Sequence, residues 1–242
     1  HWTQNRYALS RRLWQALAPM NTQINEAVEN LYKAFSGNPK PEKIEHCPCC
    51  FSDGEVETLL GNKLRDIPPR EIEAYAFSVL GTIGDIVDFK FFLPRILEIY
   101  VTESMISFVD IEIIVQKFRK AGWANWPESE KQAIIDFFTA MYSNEINKSE
   151  PDGFAVDSWI FALCYTTANI VEYLELLKKP ECESAFQEFL EVNLQFFTNN
   201  HLMNSFWEHD SPQIDSIKLW LRNDEVTVYL FSKYGMVVKH EC

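Results

Sequence analysis

The densest run of soft ligands in the chain is His46-Cys47-Pro48-Cys49-Cys50. Cys47 and Cys50 form a C-x-x-C pair, and thiolates at that spacing can grip one zinc ion from a tight turn. A structural zinc site needs two more ligands. The sequence has neither a second C-x-x-C nor an H-x-x-x-H, and His201, His209, His240 and Cys242 are distant candidates without diagnostic spacing. The expectation is no cofactor, with zinc at Cys47 and Cys50 as a possible metal. The same pair could work as a redox dithiol, because a helix begins just after it and a helix N-terminus lowers a thiol pKa. Thioredoxin-like chemistry comes with a βαβ context, however, and none is legible here. The plainer expectation is that small, mostly buried cysteines punctuate a helix start.

Other groupings point less sharply to chemistry. His201, Glu208, His209 and Asp210 crowd the segment HLMNSFWEHD. Adjacent residues on a helix point in different directions, so a solvated face or a helix end is expected there. GTIGD, residues 81–85, lacks the GK[ST] of a phosphate loop and follows a helix rather than a strand, so it reads as an interhelical turn. G-x-S-x-G and H-E-x-x-H are absent. Trp123, Trp126, Trp159, Trp207 and Trp220 recur near expected helix ends and are read as core.

The elements that carry these residues are predicted to be helices. Ile24, Ala27, Val28, Leu31, Ala34 and Phe35 make one helical stripe. A linker follows over residues 37–46, whose two prolines break any regular element. Further helices are expected from Ser52 or Asp53 to Leu60, from Pro69, over 85–100 with Pro94 kinking or splitting it, after Asp110, after Pro127, and over 154–166, 168–178, 184–198 and 212–221. Val226, Val228 and Leu230 alternate as a strand would, yet helix is favoured through Tyr234. Glycine, 8 of 242 residues, is too scarce for an all-β fold rich in turns. The predicted class is all-α, a multi-helix bundle or an irregular α-solenoid of antiparallel pairs. Its expected parts are an N-terminal helical segment 1–36, the linker 37–46 and a main domain 47–242.

Composition narrows the setting. No apolar run approaches the roughly 18–20 residues that cross a bilayer. The opening HWTQNRYALSRR carries no continuous apolar stretch of the kind a secretion signal needs. Six cysteines are unevenly spread, which fits a reducing compartment, expected to be the cytoplasm. The net charge is −13, and the last 92 residues hold 14 acidic against 6 basic side chains. Such a surface repels nucleic-acid phosphates and anionic lipid and attracts a basic protein. No nucleic-acid and no membrane partner is therefore expected.

Three segments together resemble a group of uncharacterised bacterial helical proteins: HCPCCFSDGEVETLL, IPPREIEAYAFSVLGTIGDIVDFKFFLPRILEI and SFWEHDSPQIDSIKLWL. In that group a C-P-x-C turn precedes a leucine-rich helix, a Y-A-F…G-D…D-F…F-L-P-R block follows, and an F-W…Q…W-L stretch comes near the C-terminus. The resemblance covers roughly residues 46–225. Cys47 and Cys50 match the turn, and Asp85, Asp88, Pro94 and Arg95 match the central block. Ile83 replaces an aromatic residue before G-D, which marks that position as packing. The resemblance implies no reaction. A profile that is acidic, helical and free of catalytic motifs is similar, by analogy alone, to immunity proteins of polymorphic toxin systems.

The functional expectation is a non-catalytic acidic binding protein that blocks a basic toxin or enzyme domain. Glu172, Glu175, Glu188, Glu191, Asp210 and Asp215 are the candidate contacts. The alternatives are a helical scaffold or adaptor with a groove, and a zinc or redox protein using Cys47 and Cys50.

Overall fold

In a computed structural model, residues 22–102, 109–208 and 212–236 are described. They form twelve α-helices with short 3-10 turns and no strand. The first stripe folds as expected: α1 (Thr22–Ala34) buries Ile24, Ala27, Val28 and Leu31. Its partners are remote in sequence, α4 (Ile86–Thr102) and α6 (Glu128–Ile146). The segment expected to be a linker is tied down as well. Ile44 is buried, Cys47 N–H donates to the Thr82 carbonyl (2.8 Å), and Gly84 N–H donates to the Glu45 carbonyl (2.8 Å). Residues 22–35 and Ile44 share one hydrophobic cluster with the remainder of the described chain.

α2 (Asp53–Gly61) starts in a capping box. The Ser52 hydroxyl accepts from Glu55 N–H, and the Glu55 carboxylate accepts from Ser52 N–H (2.8 Å). The two bonds satisfy backbone donors that a helix start leaves open. α3 (Pro69–Ser78) has proline at its first position, where no backbone N–H is needed. Between α3 and α4 runs the turn read as GTIGD. Gly84 sits at φ +65°, and a Cβ there would lie 3.0 Å from the Tyr75 hydroxyl, so the position needs glycine. Asp85 Oδ1 accepts from Val87 N–H (2.8 Å) and Asp88 N–H (3.0 Å), while Asp88 Oδ2 accepts from Asp85 N–H (3.1 Å). The two aspartates that match the resembled block thus cap α4 reciprocally, and Ile83 beside them is buried as packing.

Pro94 does not split α4, which runs unbroken from Ile86 to Thr102. A proline inside a helix costs about 3 kcal/mol. Burial of Phe89, Phe92, Leu93, Ile96, Leu97 and Ile99 offsets it. Arg95 is buried next to it. Its Nε and Nη2 donate to the Ile67 carbonyl (3.1 and 3.0 Å), and its Nη1 donates to Glu98 Oε2 (2.7 Å), which also accepts from the Tyr32 hydroxyl (2.8 Å). The arginine therefore pins the turn before α3 to α4.

α5 (Ile111–Lys120), α6, α7 (Gly153–Thr166) and α9 (Glu183–Val192) complete the centre. α7 is buried on nearly every side, from Val156 and Trp159 through Cys164, as a helix in the middle of a bundle must be. Trp126, Trp159, Trp207 and Trp220 are core residues, as expected from the sequence. α8 (Val171–Leu177), α10 (Phe196–Asn199), α11 (Ile214–Leu221) and α12 (Asp224–Tyr234) lie toward the C-terminus. The expected helix 184–198 breaks at Asn193, whose buried side chain donates to the Phe189 carbonyl and to Asp157 (both 3.1 Å) and accepts from Met203 N–H (3.1 Å). Residues 226–234 are helical, with Val226 and Leu230 buried and Val228 outward. No helix among the described residues is long and apolar enough to cross a membrane.

Candidate functional site

Two places hold the candidate residues, and they are built from different elements. The first is the turn before α2. Cys50 and Phe51 N–H both donate to the Cys47 carbonyl (2.9 and 3.0 Å), which closes the turn. Phe51 is buried under it and the strap to Thr82 holds its other end. The cysteines are not the buried packing expected from the sequence: Cys49 and Cys50 are exposed and Cys47 is half-buried. Sequence spacing singled out Cys47 and Cys50. The structure adds Cys49, because the three Sγ atoms all lie within 4.8 Å of one another. This cluster could hold a metal ion.

The three sulfurs of the turn perturb one another. Cys47 is lowered below the ordinary thiol range, and the cause is a hydrogen bond from Cys49. Cys49 in turn is pushed up to about 11 by Cys47 and Cys50. His46 packs its Nε2 against Asp53 (3.3 Å) and its Nδ1 against the Ile44 carbonyl (3.3 Å). Beside the turn a cleft of about 480 Å³ is lined by Cys50, Glu55, Arg70, Glu73, Phe77 and Asp110 among others.

The second place is the acidic C-terminal surface. Glu172 and Glu175 lie on α8, Glu188 and Glu191 on α9, Asp215 on α11, and all five are exposed. Asp210 lies outside the described residues, as does His209. Two of the five are committed within the fold. Glu175 Oε1 accepts from Trp220 Nε1 (2.7 Å) and pairs with Lys178 (2.9 Å), which also pairs with Glu225 on α12 (2.7 Å). Glu191 accepts from the Tyr234 hydroxyl (2.6 Å) and pairs with Lys233 (3.1 Å), also on α12. Glu175 thus ties α8 to α11, while the Lys178–Glu225 pair and Glu191 strap α12 onto α8 and α9. Glu172 accepts a local bond from Asn169 (3.0 Å), and Glu188 and Asp215 are exposed.

Between α8, α11 and α12 a groove of about 470 Å³ is rimmed by Glu175, Lys178, Leu219, Asp224 and Glu225. Leu219, Val228 and Phe231 are 73%, 66% and 61% exposed. On α12, Asp224, Val228 and Phe231 are spaced four and three apart and so share one face, which begins at the groove. Sequence reading favoured a helix here but did not single out this exposed face.

A buried polar network also escaped it. Asp157 accepts from Asn193 Nδ2 (3.1 Å) and Trp207 Nε1 (3.0 Å), while Asn204 donates to buried Glu112 (2.7 Å). Burial raises Asp157 to about 6, against hydrogen bonds from Asn193, Trp207 and Asn204 that lower it. The folded chain thus holds this proton more tightly than the unfolded chain, whose carboxyl has the ordinary value of 3.8. Its stabilising share is full below that value and is lost as pH rises through about 6. The difference corresponds to about 3 kcal/mol, roughly half of it falling between pH 5 and 7.5. Urea midpoints should decline over that interval in the wild type and much less in Asp157→Asn. A parallel decline in both would show that Asp157 is not the titrating group.

Compared with protein-family models, curated proteins and solved structures, the chain finds no match.

Proposed function

We propose that the chain is a non-catalytic binding protein that docks a basic protein through its C-terminal helices. The observation that carries this reading is exposed Leu219 on an acid-rimmed groove, together with exposed Val228 and Phe231 on the α12 face that begins there at Asp224. Apolar side chains supply contact area once water is displaced, and the surrounding carboxylates steer a cationic partner and set its orientation. The charge that steers is narrower than composition implied. Glu175 and Glu191 already face lysines, which leaves Glu172, Glu188 and Asp215 of the six candidates accessible among the described residues, with exposed Asp224 on the α12 face itself. In its narrower form, resting on the resemblance of residues 46–225 and on analogy, the reading makes the partner a bacterial toxin domain and the chain its immunity-type inhibitor. A cytoplasmic setting belongs to the same proposal.

The test is retention of a purified native partner, followed by titration at about 50 and 500 mM salt, a range over which exposed charges pass from weak to strong screening. The expected partner is basic, and its affinity falls with salt. Reversing Glu172, Glu188 and Asp215 to lysine together should slow association, since one exposed pair alone contributes under about 1 kcal/mol. Phe231→Asp should instead speed dissociation. A partner that is acidic or a nucleic acid, or binding indifferent to both sets of substitutions, refutes the reading.

A further inference from the structure

The sulfur cluster at the head of α2 is independent of the acidic face, and its stereochemistry is more specific than a C-x-x-C pair. Cys49 Sγ lies 3.8 Å from Cys50 Sγ and 2.7 Å from Cys47 Sγ. An ion bonded to sulfur at about 2.3 Å in tetrahedral or trigonal geometry spaces its sulfurs about 3.8–4.0 Å apart. One pair already has that spacing, and the other reaches it if Cys47 or Cys49 turns outward by about an ångström, which side chains at a surface do without repacking. The backbone beneath is fixed by the Cys47 turn, the Thr82 strap, buried Phe51 and the Ser52–Glu55 capping box. A site preset in this way loses little entropy on closing around an ion.

The ligand count then selects the ion. No histidine or carboxylate joins the three sulfurs within 4.8 Å among the described residues. His46 is turned away to Asp53 and the Ile44 carbonyl. Structural zinc takes four ligands, and iron–sulfur clusters take four cysteines. Three thiolates with nothing further suit a soft ion content with three ligands, and among soft ions thiolates favour monovalent copper. The local field agrees. Asp53 and Glu55 follow the turn and Glu45 precedes it, with Lys43 held by Glu45 at 2.6 Å. Carboxylates on both sides of the turn favour a bound cation there.

We propose that Cys47, Cys49 and Cys50 form a three-thiolate site for one monovalent copper ion. On binding, the three S–H groups release three protons as three S–Cu bonds form. Copper enters and stays as Cu(I), so no electron is transferred. Affinity therefore increases with pH.

The test uses the full chain, reduced and kept free of oxygen, titrated with Cu(I) against a chromophoric Cu(I) chelator. The expected result is one equivalent held per chain, an ultraviolet thiolate-to-copper band that grows to one equivalent, and tighter binding at pH 8 than at pH 6. Cys47→Ser, Cys49→Ser and Cys50→Ser should each weaken binding at least tenfold, with unchanged helical circular dichroism. Three results would overturn the site. The triple Cys47/Cys49/Cys50→Ser variant could retain as much Cu(I) as the wild type. Cys49→Ser could leave affinity unchanged, reducing the cluster to a pair. Equimolar Zn(II) could displace Cu(I), which would mean a fourth ligand completes a zinc site.

Discussion

Arg95→Met is expected to cost about 3–5 kcal/mol, the range for a buried ion pair left with one partner. The side chain is 4% exposed and carries three bonds, two to the Ile67 carbonyl and one to Glu98. Methionine fills similar volume, so packing loss is small and the measured cost reports the charge and the two bonds to the carbonyl. Glu98 would keep the Tyr32 hydroxyl and an Arg65 guanidinium 4.0 Å away, which moderates the loss without removing it. Against a total stability of about 5–15 kcal/mol, this is about a fifth or more of the margin. Urea denaturation at neutral pH measures it, and Glu98→Gln in the Arg95→Met background should recover part, with a coupling above about 1 kcal/mol. A loss below about 1 kcal/mol for Arg95→Met would mean that water reaches Ile67 and that the arginine pins nothing.

Gly153→Ala should be the most damaging of the small substitutions. A Cβ at that position would meet the Glu188 carbonyl oxygen at 2.5 Å, its carbon at 2.8 Å and Val192 Cγ1 at 2.9 Å. Two of these are backbone atoms of α9, which cannot step aside as a flexible side chain would. Alanine gains up to about 1 kcal/mol of helix propensity over glycine, whereas forced overpacking costs about 1–3 kcal/mol or more. The clash wins because the whole of α9 would have to move off α7. We expect a net loss of about 2 kcal/mol, larger for Gly153→Val. Gly54→Ala provides the opposite sign. It lies in the first turn of α2 with nothing within 4 Å of the added methyl, so it should be neutral or stabilising by a few tenths of a kcal/mol. Equal stability of Gly153→Ala and wild type would show that α7 and α9 approach less closely than described.

What the sequence made legible follows from the range of the interaction. Stripes and caps are local, so α1, the Ser52 cap, Pro69 at the start of α3 and the tryptophans in the core could be read directly. The groups that decide the interior are not local. Arg95 answers to Ile67, Asp157 to Asn193 and Trp207, and Lys117 to the carbonyls of Phe77 and Val79 (2.9 and 2.7 Å). From spacing alone each looks like an ordinary solvated polar residue. At the candidate sites the sequence found the acidic helices and two of the three clustered sulfurs. It missed Cys49 because the C-x-x-C template counts only the outer pair. It could not see that Glu175 and Glu191 are tethers, since Lys178 reaches Glu225 and Glu191 meets Lys233 on a helix far down the chain. The alternation at 226–230 fitted two periodicities at once; helix was the favoured one, and Asp224–Tyr234 is a helix with Val228 outward.

The seating of α1 against α6 bears on how the chain emerges from the ribosome. Residues 22–34 are translated more than ninety positions before the first residue of Glu128–Ile146 exists. At about 5–20 residues per second, the apolar stripe of α1 waits about 5–20 s without the surface it finally covers. During that interval Ile24, Val28 and Leu31 are open to whatever holds nascent apolar segments. Late closure over so long a loop makes the docking of α1 wait on the synthesis of α6.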